Sequence, residues 1–416
     1  MPTSTKPHRL FPKADPSYAR RRLEAFLPKV GRYAADRNYD RPGHPAVSLL
    51  SPYLQRHLLS EEEVCHAVLE QYSWESAEKF LQEVCWRTYW KGWLEMRPGI
   101  WASYRERLAR DEPPELAKNI ARAEEGATGI DCFDHWVREL KETNYLHNHV
   151  RMWFASLWIF TLKLPWERGA DFFFRHLMDA DPASNTLGWR WVGGWQTPGK
   201  TYLARSSNIT RYTEGRWSPE DALLATEAPA PALSREELRP TQPLSWDEFP
   251  PSLGEKTGLL VFGDDLNPLS TPLREVSPEA IGLLTDEAFA PSYHLAPLVR
   301  HFHHQATTDA QSRLQEHWQK PVDLLKDHAA SPETVNHWIQ SRGLTHLLLL
   351  RPTVGPWRDR WTVLRQSLPP EITLTETARP WDQALWPHAT AGFFRFKKPL
   401  PTLVRDLCSR HHPSPA

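Results

Sequence analysis

The spacing of the apolar residues changes once along this chain, and that change limits the folds open to it. From Arg20 to Trp195 the apolar spacing is helical. Ser60-Glu61-Glu62-Glu63 predicts a capped helix start with carboxylates in the first turn, and Ser73 to Trp93 keeps helical spacing through Phe80, Val84 and Tyr89. Asp131 to Leu140 and His147 to Leu162 predict two more helices. No period-2 run interrupts them, so the first half reads as all-α. Beyond Gly258 the pattern alternates. Residues 258–262 and 345–350 predict short apolar strands, and 332–343 and 357–368 predict helices. Strand, helix, strand in that order calls for a small α/β domain with a parallel sheet. Between Trp217 and Gly258 the chain is proline-rich and weakly periodic, as extended linkers are. The expected division is therefore 1–216 all-helical, 217–257 linker and 258–416 α/β.

Composition narrows the class further. With 40% apolar and 24% charged residues the chain can bury a core, and its 38 prolines in 416 residues exceed the usual ~5%. Cys65, Cys85, Cys132 and Cys408 show no CxxC spacing, so neither a disulfide framework nor a zinc ribbon is expected, and a cytoplasmic setting fits. Residues 1–16 lack an apolar signal core. The run Met152 to Leu162 is shorter than the ~20 residues that span a bilayer, so no membrane partner is expected. Residues 1–216 hold 31 Lys+Arg against 27 Asp+Glu, whereas 217–416 hold 19 against 24. A mildly basic first half suits a polyanion, although a solvated surface explains it equally. His301, His303 and His304 have no carboxylate or cysteine at ligand spacing and read as a helix face, so no metal is expected. No Walker A or GxGxxG motif is present.

The stretch from Asn144 to Trp195 concentrates the chemistry. It holds Leu146-His-Asn-His-Val-Arg-Met152, then Leu164-Pro-Trp-Glu-Arg-Gly-Ala-Asp-Phe-Phe173, then Asp179-Ala-Asp-Pro-Ala-Ser-Asn-Thr-Leu-Gly-Trp-Arg-Trp191. Taken singly, these runs also describe an ion-paired core. Upstream stand Tyr33-Ala-Ala-Asp-Arg37, Ser48-Leu-Leu-Ser51, Glu83-Val-Cys-Trp-Arg87 and Thr128-Gly129 with Asp134. In this order, over residues 20–216, they resemble the FAD-binding domain of the photolyase/cryptochrome family. The chain departs from the family pattern at Tyr145, Leu146 and His149, and in the loop Tyr202 to Asn208. It also departs in order. Residues 258–267 and 347–359 resemble the family's α/β antenna segments, which usually precede the flavin domain. The C-terminal domain thus resembles a Rossmann-like antenna domain moved to the other end, and a second chromophore stays open.

The resemblance implies FAD as cofactor. Ser51-Pro52 would form an N-cap and first-turn pair against the pyrophosphate, with Ser48 and Tyr33 as further contacts. Asn148 would line the cofactor, Arg151 and Asp179 would pair beside the flavin, Asp181 would meet its polar edge and Asn185 would face N5. Trp189 and Trp166 would begin an electron-hopping chain, with Trp101 the nearest third member. For a pyrimidine dimer in DNA, Glu83 would hydrogen-bond the lesion, and Trp86, Met152 and Trp191 would pack its bases. Arg37 and Arg87 would stand at the rim, the alternative being ordinary surface or ion-paired arginines. The implied activity is that of a photolyase-type lyase. The alternatives are a blue-light photoreceptor without repair activity and a flavoenzyme acting on a small molecule.

Overall fold

A computed structural model describes residues 10–197, 199–232, 239–250, 254, 256–285, 293–326 and 332–409. Residues 1–9 and parts of the stretch 217–257 lie outside the described residues. Among those described, no strand precedes Thr257, as the helical spacing requires. The capped start at Ser60 forms: its hydroxyl accepts from Glu63 N at 3.1 Å, and the Glu63 carboxylate accepts from Ser60 N at 2.8 Å. The long helix Trp74–Glu95 begins at Ser73, whose hydroxyl accepts from Ser76 N at 3.3 Å. Helix Asp131–Thr143 ends on Asn144 in the left-handed region (φ 56°), a conformation asparagine tolerates better than most residues. The helix expected over 147–162 is regular only over Asn148–Ser156. It widens into a π turn over Leu157–Thr161, and the Trp158 indole donates to Pro165 O at 2.8 Å.

The second half carries five parallel strands. They are β1 Thr257–Phe262, β2 Ala280–Leu284, β3 Val322–Leu325, β4 His346–Leu350 and β5 Thr373–Thr377, in spatial order β3-β2-β1-β4-β5. β1 and β4 match the two strands expected from sequence. Helices Pro332–Ser341 and Pro356–Gln366 match the two expected helices, and His301, His303 and His304 lie on helix Pro297–Trp318. Leu260, Phe262, Leu347, Leu349, Trp338 and Trp361 form one core against the sheet. Trp338 lies close over the strands: a Cβ at Gly258 would come within 2.9 Å of its ring, and one at Gly282 within 3.0 Å. Strand order reverses between β1 and β4, the place where open α/β sheets offer a crevice at the strands' carboxyl ends.

The chain divides into two compact units. One comprises Met1–Pro12, Pro28–Leu49 and Arg97–Thr241; the other comprises Lys13–Leu27, Leu50–Met96 and Gln242–Ala416. The helix Trp74–Glu95 therefore belongs to the unit that holds the sheet. Its attachments explain why. Glu95 accepts from Val354 N at 2.6 Å, just after β4, and its carboxylate also meets Arg358 at 3.1 Å and Arg351 at 3.5 Å. Thr88 Oγ1 accepts from the Trp381 indole at 2.9 Å, and the Tyr89 hydroxyl donates to Ala391 O at 2.8 Å. Gly92 completes the fit, since a Cβ there would lie 2.7 Å from the Trp386 ring.

Candidate functional site

In the first unit, Arg151 stands on helix Asn148–Ser156 and Asp179 precedes helix Pro182–Gly193. Arg151 Nη2 lies 3.1 Å from both carboxylate oxygens of Asp179, its Nε donates to Leu146 O at 2.9 Å, and its guanidinium sits 5.3 Å from the Tyr145 ring. The expected pair is formed. Asp181 caps helix Pro182–Gly193 by accepting from Ser184 N at 2.7 Å. Asn185, one turn on, donates to Ala170 O at 2.8 Å, which fixes the amide and directs its carbonyl oxygen the other way. The Trp189 indole N–H, in the second half of that helix, is buried without a hydrogen bond from the protein. A buried donor left open fits an acceptor atom on a bound group. The FAD ring, which carries acceptor atoms along its edge, has that chemistry.

Other positions depart from expectation. Ser51 is not the N-cap: Leu50 takes that place with helical dihedrals, no side chain caps the helix Ser51–Gln55, and Ser51-Pro52 fill its first two positions. The chain enters this turn early because Leu49 already adopts φ 54°. Asn148 is exposed at the start of its helix, while Tyr33, Arg37, Met152 and Trp191 are half-buried, with Trp191 5.8 Å from Tyr202. Ser51, Glu83, Trp86 and Arg87 belong to the other unit. There Glu83 lies 3.9 Å from Lys79, and Trp86 stacks on Phe393 with centroids 3.7 Å apart and planes 8° apart. Arg87 is buried, with its Nε 3.3 Å from Glu61, and so takes the ion-paired alternative.

The aromatic rings around Trp189 and Trp166 are close. Helix Trp166–His176 packs on Trp189 through Gly169, where a Cβ would lie 2.3 Å from the indole. Trp166 stands 5.9 Å from Trp195 and 5.5 Å from Tyr104, which in turn stands 5.3 Å from Trp101. Trp195 is half-buried whereas Trp101 is buried. Sequence reading missed Trp195 because its neighbourhood depends on Gly193, where a Cβ would overlap its ring at 2.0 Å.

Two buried polar networks were also missed. In the first unit His44 sits 3.5 Å from Asp40 and 3.3 Å from Glu139. Burial pulls its pKa down, but those two carboxylates outweigh burial and raise it to about 9. His147, 6.1 Å from the His44 ring, is pushed down to about 3, chiefly by burial. The Asp40/His44 spacing of four was the available signal. In the second unit Asp265 pairs with Arg379 and lies 3.5 Å from His57. Burial alone would raise its pKa, yet the Arg379 guanidinium paired with it holds it well below the usual range. Burial raises Asp264 to about 7 and Asp382 to about 8. No group of three or more histidines, cysteines or carboxylates among the described residues could hold a metal, and no described helix is long and apolar enough to cross a membrane.

Residues 80–219 match the family model described as the FAD-binding domain of DNA photolyase. A deoxyribodipyrimidine photo-lyase of Thermus thermophilus is 34% identical over 203 residues, covering 47% of this chain and 47% of that protein. One from Alkalihalophilus pseudofirmus is 30% identical over 202 residues, covering 47% of this chain and 41% of that protein. The crystal structure of a class III photolyase from Agrobacterium tumefaciens matches with 27% identity and a TM-score of 0.41, covering 48% of this chain and 42% of that one. The chain spans less than half the length of these relatives. Over residues 80–219 the chain is therefore similar to the FAD-binding domain of DNA photolyase, and over about half its length it is similar to deoxyribodipyrimidine photo-lyases.

Proposed function

We propose that this protein binds FAD and uses light to transfer an electron from the reduced flavin to a pyrimidine dimer in DNA. The observations that carry the reading are the Arg151–Asp179 pair and the buried Trp189 indole N–H without a protein partner, both within the matched residues. FAD supplies the light absorption and the electron chemistry when bound. Arg151, Asp179, Asp181 and Asn185 hold and orient it; Tyr33, Ser48, Ser51 and Asn148 are further contacts. Arg151 neutralises Asp179, so the carboxylate can accept from the cofactor at little electrostatic cost. Trp189 and Trp166 are oxidisable rings leading outward, and half-buried Trp195 is their surface end. Glu83 would donate to or accept from the lesion, with Met152, Trp191, Trp86 and Arg37 assigned to the substrate and its rim. The alternative photoreceptor would use the same cofactor and tryptophans without Glu83. The division of the chain at 216 and 258 and a cytoplasmic location belong to the same reading.

The experiment is anaerobic illumination of the reduced protein with dimer-containing oligonucleotides, comparing wild type with Glu83→Gln. Repair by wild type, lowered in Glu83→Gln with flavin content and photoreduction unchanged, is expected, because the group acts on the substrate only. A photoactive protein that leaves dimers intact would replace repair with the photoreceptor reading.

A further inference from the structure

Phe394 is the most exposed large apolar side chain among the described residues, at 79%. It stands on the single helical turn Phe393–Phe396, whose other two phenylalanines are buried. The turn is held firmly. Phe393 stacks on Trp86, both Phe393 and Phe396 lie within 5.5 Å of the Tyr89 ring, and Trp90 flanks Trp86 at 5.1 Å. With its neighbours anchored inward, Phe394 has no inward position left and points to solvent. Three cations follow it within four residues. Lys397 Nζ lies 5.5 Å from the Phe394 ring, and Arg395 and Lys398 are exposed beside it. None of the three forms an ion pair with a carboxylate among the described residues.

An exposed aromatic ring among three unneutralised cations is complementary to a polyanion that carries flat rings. A nucleic-acid strand alternates phosphates with stackable bases at that scale, whereas an acidic protein surface or an anionic lipid layer supplies charge without the ring partner. We propose that the turn Phe393–Phe396 with Lys397 and Lys398 is a DNA contact. Phe394 stacks on a base, and Arg395, Lys397 and Lys398 hold the flanking phosphates. The proposal deepens the DNA reading above and rests on it for the choice of DNA.

The test uses the full chain in the dark, with fluorescently labelled undamaged single-stranded oligothymidine and a dimer-containing duplex, followed by anisotropy over a salt series. Phe394→Ala should weaken single-strand binding roughly tenfold or more with an unchanged salt slope, and Phe394→Trp should restore it. The triple variant Arg395→Gln, Lys397→Gln, Lys398→Gln should reduce the single-strand log–log salt slope by about 2. Val363→Ser, at the other strongly exposed apolar position of this unit, should bind as wild type. Unchanged binding in both the Phe394 and the triple variants overturns the proposal, as does an equal loss in Val363→Ser. Loss of binding to phosphatidylserine vesicles, with oligonucleotide binding intact, also overturns it and makes the turn a membrane contact. Dimer repair by a protein whose binding neither variant alters removes this contact and leaves the repair reading standing. Variant-sensitive binding without any repair does the reverse.

Discussion

Replacing Asp179 by alanine tests the cofactor site at its electrostatic centre. The change removes the carboxylate from Arg151 and leaves the guanidinium with Leu146 O at 2.9 Å and the Tyr145 ring at 5.3 Å. Breaking one partner of a buried ion pair costs about 3–5 kcal/mol. The side chain of Asp179 is 5% exposed but that of Arg151 is 23% exposed, so water reaches the abandoned charge. The lower end, ~3 kcal/mol, is therefore expected, which corresponds to roughly a hundredfold in an equilibrium constant. Asp179→Asn keeps an acceptor 3.1 Å from Arg151 and loses only the charge, so about 1 kcal/mol is expected. Two measurements separate the consequences. Urea unfolding of the apoprotein reads the loss of the pair itself. Flavin-to-protein absorbance after purification, with titration of added FAD, reads the loss at the site. Alanine should lower both strongly, asparagine should lower both mildly, and Arg151→Met combined with Asp179→Ala should cost less than the sum of the singles. If Asp179→Ala carries wild-type flavin at wild-type affinity, the pair does not face the cofactor, and the assignment of this helix start fails.

Three further outcomes follow from other parts of the structure. Flavin photoreduction, followed by absorbance under constant illumination, should slow sharply in Trp189→Phe and Trp166→Phe. It should slow clearly in Trp195→Phe and little in Trp101→Phe, because Trp101 is buried behind Tyr104. Glu95→Ala should lower the urea midpoint by about 3–5 kcal/mol in free energy, because it strands Arg351, Arg358 and Val354 N; Glu95→Gln should recover part of the loss. Asp382 keeps its proton up to about pH 8 in the folded protein but releases it near 3.8 when unfolded, so the folded state binds more protons in that window. Its contribution to stability is complete below 3.8 and is lost as pH rises through about 8, so Asp382→Asn should flatten the fall in urea midpoint between about pH 5 and about pH 8.5.

What was legible in the sequence was what is decided locally. The caps at Ser60 and Ser73, the helices around Arg151 and Asn185 and the strands β1 and β4 depend on residues within a turn or on uninterrupted apolar runs. β2, β3 and β5 escaped notice, the last two because they are edge strands. Val322–Leu325 is only four residues long, and Thr373–Thr377 alternates threonine with leucine and glutamate, so neither carries the apolar run of a strand buried on both faces. Ser51 failed as a cap because of a left-handed leucine two positions earlier, which no propensity anticipates. The Arg151–Asp179 pair was readable because both members lie inside ordered motifs. The Glu95 clamp was not, since its partners stand more than 250 positions away.

The same distinction bears on the residues assigned to DNA. Glu83, Trp86 and Arg87 were read together from five consecutive positions, yet long-range packing has given them different work. Arg87 is spent on Glu61, and one face of Trp86 is spent on Phe393, a residue of the C-terminal segment. Both attachments help fix the helix Trp74–Glu95 to the unit that carries the sheet. Glu83 is half-buried, 3.9 Å from Lys79. A base that stacked on the covered face of Trp86 would first have to displace Phe393 and with it the anchor of the turn carrying Phe394. Substituting Phe393 by alanine should therefore loosen the exposed turn and uncover Trp86 at once, weakening any contact made by Phe394 while opening an indole face. Trp86 fluorescence quenching by acrylamide should rise in that variant if the stack is the anchor. If quenching is unchanged, the indole is shielded by other groups, and the turn owes its position to Phe396 alone.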